Sequence, residues 1–200
     1  MPEHLRMRNL FTRYITQNQG AEALAALVVV TSAQAAQDYL KEQELSLSGE
    51  VSVTSAQIHQ TVVEFLLVVT YYFESYTAGQ YSNRTDLSRF FSELESGVYK
   101  EYMKLDPDVD PVFNANSFGK MWQETLELYS SCRRFYASEF PSKDSVSGEF
   151  SSRVAAIFGE SRYSFASAKA NIAFWSIVAA NEDCRTLDTF LSRIDWSQRN

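Results

Sequence analysis

The amino-acid sequence predicts an all-α fold, an irregular bundle of six or seven helices around a central apolar helix at about 54–78, organised as a single helical domain over 1–200. Three observations predict it. Only 7 Gly and 4 Pro interrupt 200 residues, too little punctuation for a turn-rich sandwich or barrel. Apolar residues recur at intervals of three and four along most of the chain. A hydrophobic content of 45%, with 14 Phe, 11 Tyr and 3 Trp, supplies enough core for an ordered globular bundle.

The first periodic segment, 3–18, sets Met7, Leu10, Phe11, Tyr14 and Ile15 on one helical face, with Gly20 placed as its stop. A second helix follows over about 21–42. Its centre, EALAALVVVTSAQAAQDYL, is rich in alanine and valine, and such small side chains let neighbouring helices approach closely. Residues 45–53, LSLSGEVSV, change to a two-residue period around Ser48-Gly49 and read equally as a minor β-hairpin or an extended loop.

Thr54-Ser55-Ala56-Gln57 has the form of a capping box, in which Gln57 reaches back to the free amide of Thr54, and it opens the central helix. Ile58, Val62, Phe65, Leu66, Val69, Tyr72, Phe73 and Tyr76 form one apolar stripe there. Val63, Leu67 and Tyr71 lie on the reverse, so protein is expected against both faces. Asp86 can cap a helix to about Leu105 whose Leu87, Phe90, Leu94, Val98 and Tyr102 point inward. Asn116 or Ser117 can cap the next, to about Phe140, with Phe118, Trp122, Tyr129 and Cys132 inward and Lys120 and Glu124 in water. PSKDSVSGEFSS reads as a polar connection. Helix resumes from about Ser151 to Ala180, broken near Gly159, and a short last helix covers about 181–194. The echo between SGEVS at 48–52 and SGEFS at 147–151 does not extend into the helices that follow, so it signals no repeat.

The stretch LDPDVDP, 105–111, places three carboxylates at alternate positions, as a calcium loop starting at Asp106 would. The sixth loop position, which needs glycine, is Pro111, and the twelfth, which needs a bidentate glutamate, is Ser117. The segment is therefore expected to be an extended connector between helices, with solvated carboxylates and no metal.

Few other residues suggest chemistry. His4 and His59 are the only histidines, which leaves little for triads or transition metals, and no Glu-x-x-His pair exists for a di-iron bundle. No phosphate-cradling glycine loop, nucleophile elbow or kinase signature is present, so neither a metal nor a cofactor is expected. A glycosidase-like carboxylate pair has no sequence signature by which to find it. A net charge of −7 repels a phosphate backbone, and the basic gatherings, Arg6, Arg8 and Arg13 and then Arg133-Arg134, are small, so nucleic acid is not expected as a partner. The N-terminus has no apolar signal core, the stretches ALAALVVV and FLLVVTYYF are too short to span a bilayer, and Cys132 and Cys184 make no disulfide framework. A cytoplasmic protein with reduced thiols and no membrane contact follows as the expectation.

The most informative acid is Glu64, which shares the reverse face of the central helix with Tyr71 and must be paired, hydrogen-bonded or protonated if that face is buried. Aromatic clusters at 70–76, 133–140 and 173–177 can be core, pocket or interface. Candidate ligand or partner contacts are Glu64, Tyr71, Tyr72, Arg133, Arg134 and Trp175. With no catalytic constellation, the sequence favours a non-enzymatic protein of regulatory, adaptor or inhibitor type that acts through protein–protein contacts, its partners including a second copy of itself. The alternative is a helical ligand-binding or sensor domain with an aromatic-lined pocket near Tyr71, Tyr72 and Trp175. An enzyme of unrecognised type ranks third, and a nucleic-acid binder or mimic fourth.

Overall fold

The computed structural model describes residues 14–46, 52–82, 87–105, 114–133, 135 and 144–197, apart from the side chains of 45, 46, 115, 182–184 and 186. Among these it contains seven helices: α1 Gln17–Ser46, α2 Ser55–Tyr81, α3 Ser88–Leu105, α4 Ala115–Ser130, α5 Val146–Ile157, α6 Phe165–Cys184 and α7 Thr186–Leu191. Ile15 and Ile194 form a parallel β-bridge, and no sheet stands beside the helices among the described residues. The fold is an all-α bundle.

The capping box at α2 forms as expected: the Thr54 side chain accepts from the Gln57 amide, and the Gln57 side chain accepts from the Thr54 amide. From Phe65 to Thr70 every residue of α2 is buried. A helix turns through 3.6 residues, so six successive buried positions mean that protein lies in every direction around its axis. Those neighbours are α1, α3, α4 and α5. Ile58, placed on the buried stripe by its spacing, lies outside this enclosure and is exposed.

The first helical segment differs from the sequence reading. Residues 14–16 are not helical, and Ile15 is tied to the other end of the chain by Ile15 N–H to Arg193 O (3.0 Å) and Asp195 N–H to Ile15 O (2.9 Å). The helix starts one residue later because Thr16 and Gln19 exchange side-chain and backbone hydrogen bonds in the same Thr-x-x-Gln form seen at Thr54. Gly20 is therefore no stop. It sits in the first turn of α1 at a point where an added Cβ would fall 2.6 Å from Ile194 Cδ1, so a larger residue there would oblige the Ile194 side chain to shift. The Met7 to Phe11 part of that segment, and His4, lie outside the described residues.

Further boundaries move for identifiable reasons. α1 runs on through Leu45 and Ser46, so the expected hairpin cannot begin there; its centre, 47–51, lies outside the described residues, as do Asp86 and the connector 106–111. α4 is capped by Asn114, two or three residues before the expected caps, with Asn114 and Ser117 bonded reciprocally. It ends at Ser130 and not near Phe140, where the Ser131 amide turns back to the carbonyls of Glu127 and Leu128. The polar stretch expected as a connection is half helix: Ser145 caps α5 through the Gly148 amide, and Ser145, Ser147 and Ser151 are all buried. Their hydroxyls are satisfied locally, Ser151 by the Ser147 carbonyl one turn back, so residues that look like a solvated loop can line a core. The break at Gly159, which takes φ +71°, falls where expected. Arg185, at φ +46°, separates α6 from the short α7.

The buried apolar side chains form one cluster from Ala21 to Ile194. An aromatic chain crosses it: Phe65 meets Phe150 edge-on at 4.9 Å, Phe150 meets Phe174 at 5.6 Å, and Phe174 meets Tyr72 edge-on at 6.4 Å. Each such contact adds about 0.5–1.5 kcal/mol beyond burial. Where α1 meets α3, the small residues on α1 do let the helices approach, because an added Cβ on Gly97 would lie 2.8 Å from Ala25 Cβ. Gly97→Ala should therefore destabilise the fold: overpacking costs about 1–3 kcal/mol and outweighs the roughly 1 kcal/mol that alanine gains as a helix former. Urea unfolding checks it, and a higher midpoint for the variant would show that the α1–α3 approach is looser than described.

Candidate functional site

Glu64 is held by Arg153 of α5, which donates Nε to one carboxylate oxygen and Nη2 to the other, each at 2.7 Å. This bidentate geometry fits a guanidinium to a carboxylate better than a lysine could. Burial works against the Arg153 charge, but the Glu64 hydrogen bonds and charge outweigh it and its pKa is raised, so the guanidinium stays ionised. A second pair lies along α5, where Arg162 donates to Glu149 (2.9 Å) and to Ser152 (3.0 Å). Tyr129 of α4 is buried with its hydroxyl unpartnered. Burial, reinforced by the charge of Glu64, holds that phenol well above its ordinary range, so it is neutral at physiological pH. Cys132 is a free thiol; burial and then the charges of Glu149 and Asp144 raise its pKa, which disfavours the reactive thiolate.

The ring of Tyr71 stacks on Phe135 at 5.9 Å and lies 5.3 Å from Tyr129. Tyr72 is buried, meets Phe174 and Phe135, and accepts a hydrogen bond from Asn181 Nδ2 at 2.9 Å. The structure thus brings Glu64, Tyr71 and Tyr72 into the α2 region faced by Arg153, Tyr129 and Phe135, with the rings filling space against one another. Trp175 is on α6, 37% exposed; Phe174, its neighbour, is the ring that meets Tyr72. Arg133 is exposed, and Arg134 lies outside the described residues. His59 shares a 2.8 Å hydrogen bond with the Tyr102 hydroxyl through Nδ1, a half-buried structural contact between α2 and α3.

A different surface, not singled out by motif, is the outer face of α1 and α6. Residues 23–37 contain no charged side chain, nor do 170–181. In α1 only part of that run faces the core: Leu24, Ala25, Val28 and Val29 are buried, while Ala23, Val30, Gln34 and Gln37 are exposed. In α6, Ala170, Phe174 and Val178 are buried, while Ile172, Trp175, Ala179 and Ala180 are exposed. The two helices run antiparallel, Lys169 Nζ donating to the Glu42 carbonyl at 2.8 Å at one end. Between them lies a groove of about 510 Å³, with Val30 (63% exposed) on α1 and Ile172 (65% exposed) on α6, lined by Thr31, Ala35, Ala173 and Ile177 and, toward the Lys169–Glu42 end, by Asp38, Tyr39, Glu42 and Lys169. Val30 also borders a second groove, of about 610 Å³, which reaches the exposed Ile58 and Leu105. The signal in sequence was the uncharged run itself, which amphipathic helices such as α3 and α4 lack.

Among the described residues, no group of three or more His, Cys, Asp or Glu could hold a metal ion, and no helix is long and apolar enough to cross a membrane. The chain matches no protein family, no curated protein and no solved structure.

Glu74 of α2 is 8% exposed. Burial, with a smaller contribution from the charge of Glu95 on α3, pushes its carboxyl up to about 8. The folded state therefore holds a proton that the unfolded chain releases near its ordinary value of 4.5, so stability should fall as pH rises from that value through about 8. Thermal unfolding between pH 5 and about pH 9 checks this. Glu74→Gln, which keeps the shape without the proton, should flatten the profile; an unchanged slope would move its origin elsewhere.

Proposed function

We propose that this chain is a non-enzymatic helical protein that acts through protein–protein contacts, and that the α1–α6 face is where a partner docks. The observation that carries the reading is the exposure of Val30 and Ile172 beside a groove that two uncharged helical runs line over most of its length. A helix that meets water normally presents charge there, and interface centres are depleted in charged residues. Exposed apolar side chains gathered on uncharged helical stretches, in a protein whose residues are 22% charged, mark a contact surface. The groove suits a helical ridge, because Ala, Thr and Ser along part of its lining leave room for inserted side chains, while Asp38, Glu42 and Lys169 at one end offer polar contacts. The alternative, a sensor with an aromatic-lined pocket, draws less support, since Tyr71, Tyr72, Phe135 and Phe174 pack against each other.

The test is affinity purification of the tagged chain from its native host, quantified against Ile172→Glu and against Lys120→Glu on α4. One protein, the untagged chain included, should be retained in near-stoichiometric amount, fall about tenfold or more with Ile172→Glu and persist with Lys120→Glu. A co-purifying small molecule in native mass spectrometry, with no protein responsive to Ile172→Glu, would replace this reading with the sensor.

A further inference from the structure

We infer that residues 14–16 and 193–197 form a clasp that opens as one unit while α1 and α7, the helices it joins, stay folded.

The clasp is small, and its two parts hold one another. Ile15 donates to the Arg193 carbonyl at 3.0 Å and accepts from the Asp195 amide at 2.9 Å, so one residue supplies both backbone bonds. A pairing of this size has no second rung to steady it, and when either segment leaves, the other loses its partners. Tyr14 and Thr16 beside the bridge are exposed, as are Ser192, Arg193 and Ser197. Two side chains anchor the segment to the bundle. Ile194 is buried beside Gly20, and Trp196, half-buried, stacks on Tyr81 at 4.8 Å and meets Phe90 edge-on at 5.2 Å.

Local structure on each side confines the opening. At the start of α1, the reciprocal bonds of Thr16 and Gln19 close the first turn without help from 193–197. At the other end, Leu187 and Leu191 are fully buried and Asp188 accepts from the Tyr76 hydroxyl at 2.6 Å, so α7 stays anchored. The clasp follows Leu191 through turn bonds, Arg193 N–H to the Phe190 carbonyl (3.0 Å) and Ile194 N–H to the Leu191 carbonyl (3.1 Å), of the kind that fray at a helix end. Asp195 Oδ1 accepts from the Ser197 amide at 3.0 Å, a turn that the segment can keep as it swings. The free energy of an opening rises with the apolar surface it bares. Opening the clasp uncovers Ile194, Trp196 and the faces of Tyr81 and Phe90 beneath them, whereas freeing the amides of α2 between Phe65 and Thr70 requires dismantling an enclosure of six buried residues. The clasp is therefore the part of the bundle that opens first, and it hides an apolar seat that the closed form does not show.

Amide hydrogen exchange of the full chain, read by NMR at urea concentrations below the unfolding transition, tests this. The Ile15 and Asp195 amides should have matching protection, about 100-fold or more below that of Leu66 to Val69, and a weaker dependence on urea. Trp196→Ala should speed exchange at Ile15 about tenfold or more, although its ring lies on Tyr81 and Phe90. Gly20→Ala, which displaces Ile194, should act in the same direction. In each variant the Leu66 to Val69 amides correct for any change in global stability. Protection at Ile15 and Asp195 equal to that of Leu66 to Val69 overturns the separate opening. Unequal protection at the two amides, or an Ile15 rate unmoved by Trp196→Ala, overturns the single unit.

Discussion

Between Phe65 and Thr70, α2 presents six successive side chains and exposes none of them, so the other helices are constrained to cover it all round. That single requirement accounts for much of the arrangement. α1 covers one side with small residues and sends the Ser32 hydroxyl to the Phe65 carbonyl; α5 covers another with Phe150 against Phe65; α3 and α4 close the remainder. Enclosure also dictates how polar groups on α2 behave. Thr70 and Thr77 turn their hydroxyls back to the carbonyls of Leu66 and Phe73, four residues before them, and so bring no unsatisfied group into the core.

The ionic contacts follow from the same geometry. Glu64 lies at the edge of the enclosed region, where a lone carboxylate would be costly, and the bidentate Arg153 both neutralises it and ties α2 to α5. Deeper groups meet the constraint differently. Glu74 is held toward its protonated form, and Tyr129 toward its neutral phenol, because burial penalises the charged species in both. The interior is therefore arranged for packing, and its titratable groups are subdued by it.

The outer face of α1 and α6 shows the opposite behaviour. There the helices retain apolar residues that the other described residues leave exposed. Apolar burial contributes roughly 25 cal/mol per Å² when it occurs, so a face left uncovered is a store of association free energy as much as a solubility liability. The docking reading begins from this imbalance between an α2 enclosed from Phe65 to Thr70 and a partly covered α1.

Periodicity made the existence of most helices legible, and local hydrogen-bond chemistry made some of their starts legible: the Thr54 to Gln57 capping box is written in four residues and forms as written. The same signal at Thr16 to Gln19 was present but was overshadowed by Gly20, whose role depends on Ile194, 174 positions away. Burial of Ser145, Ser147 and Ser151 was illegible because a serine hydroxyl can satisfy itself locally in either water or core. The sequence could state that Glu64 needed a partner, since an enclosed carboxylate must have one, but only the packing of α5 beside α2 chose Arg153. What the sequence by itself determined is the helical class, the central apolar helix and the uncharged runs, because these rest on spacing and composition within a few turns. Which face of each run became core and which was left to water was decided by tertiary structure alone, because burial depends on neighbours that arrive from distant parts of the chain.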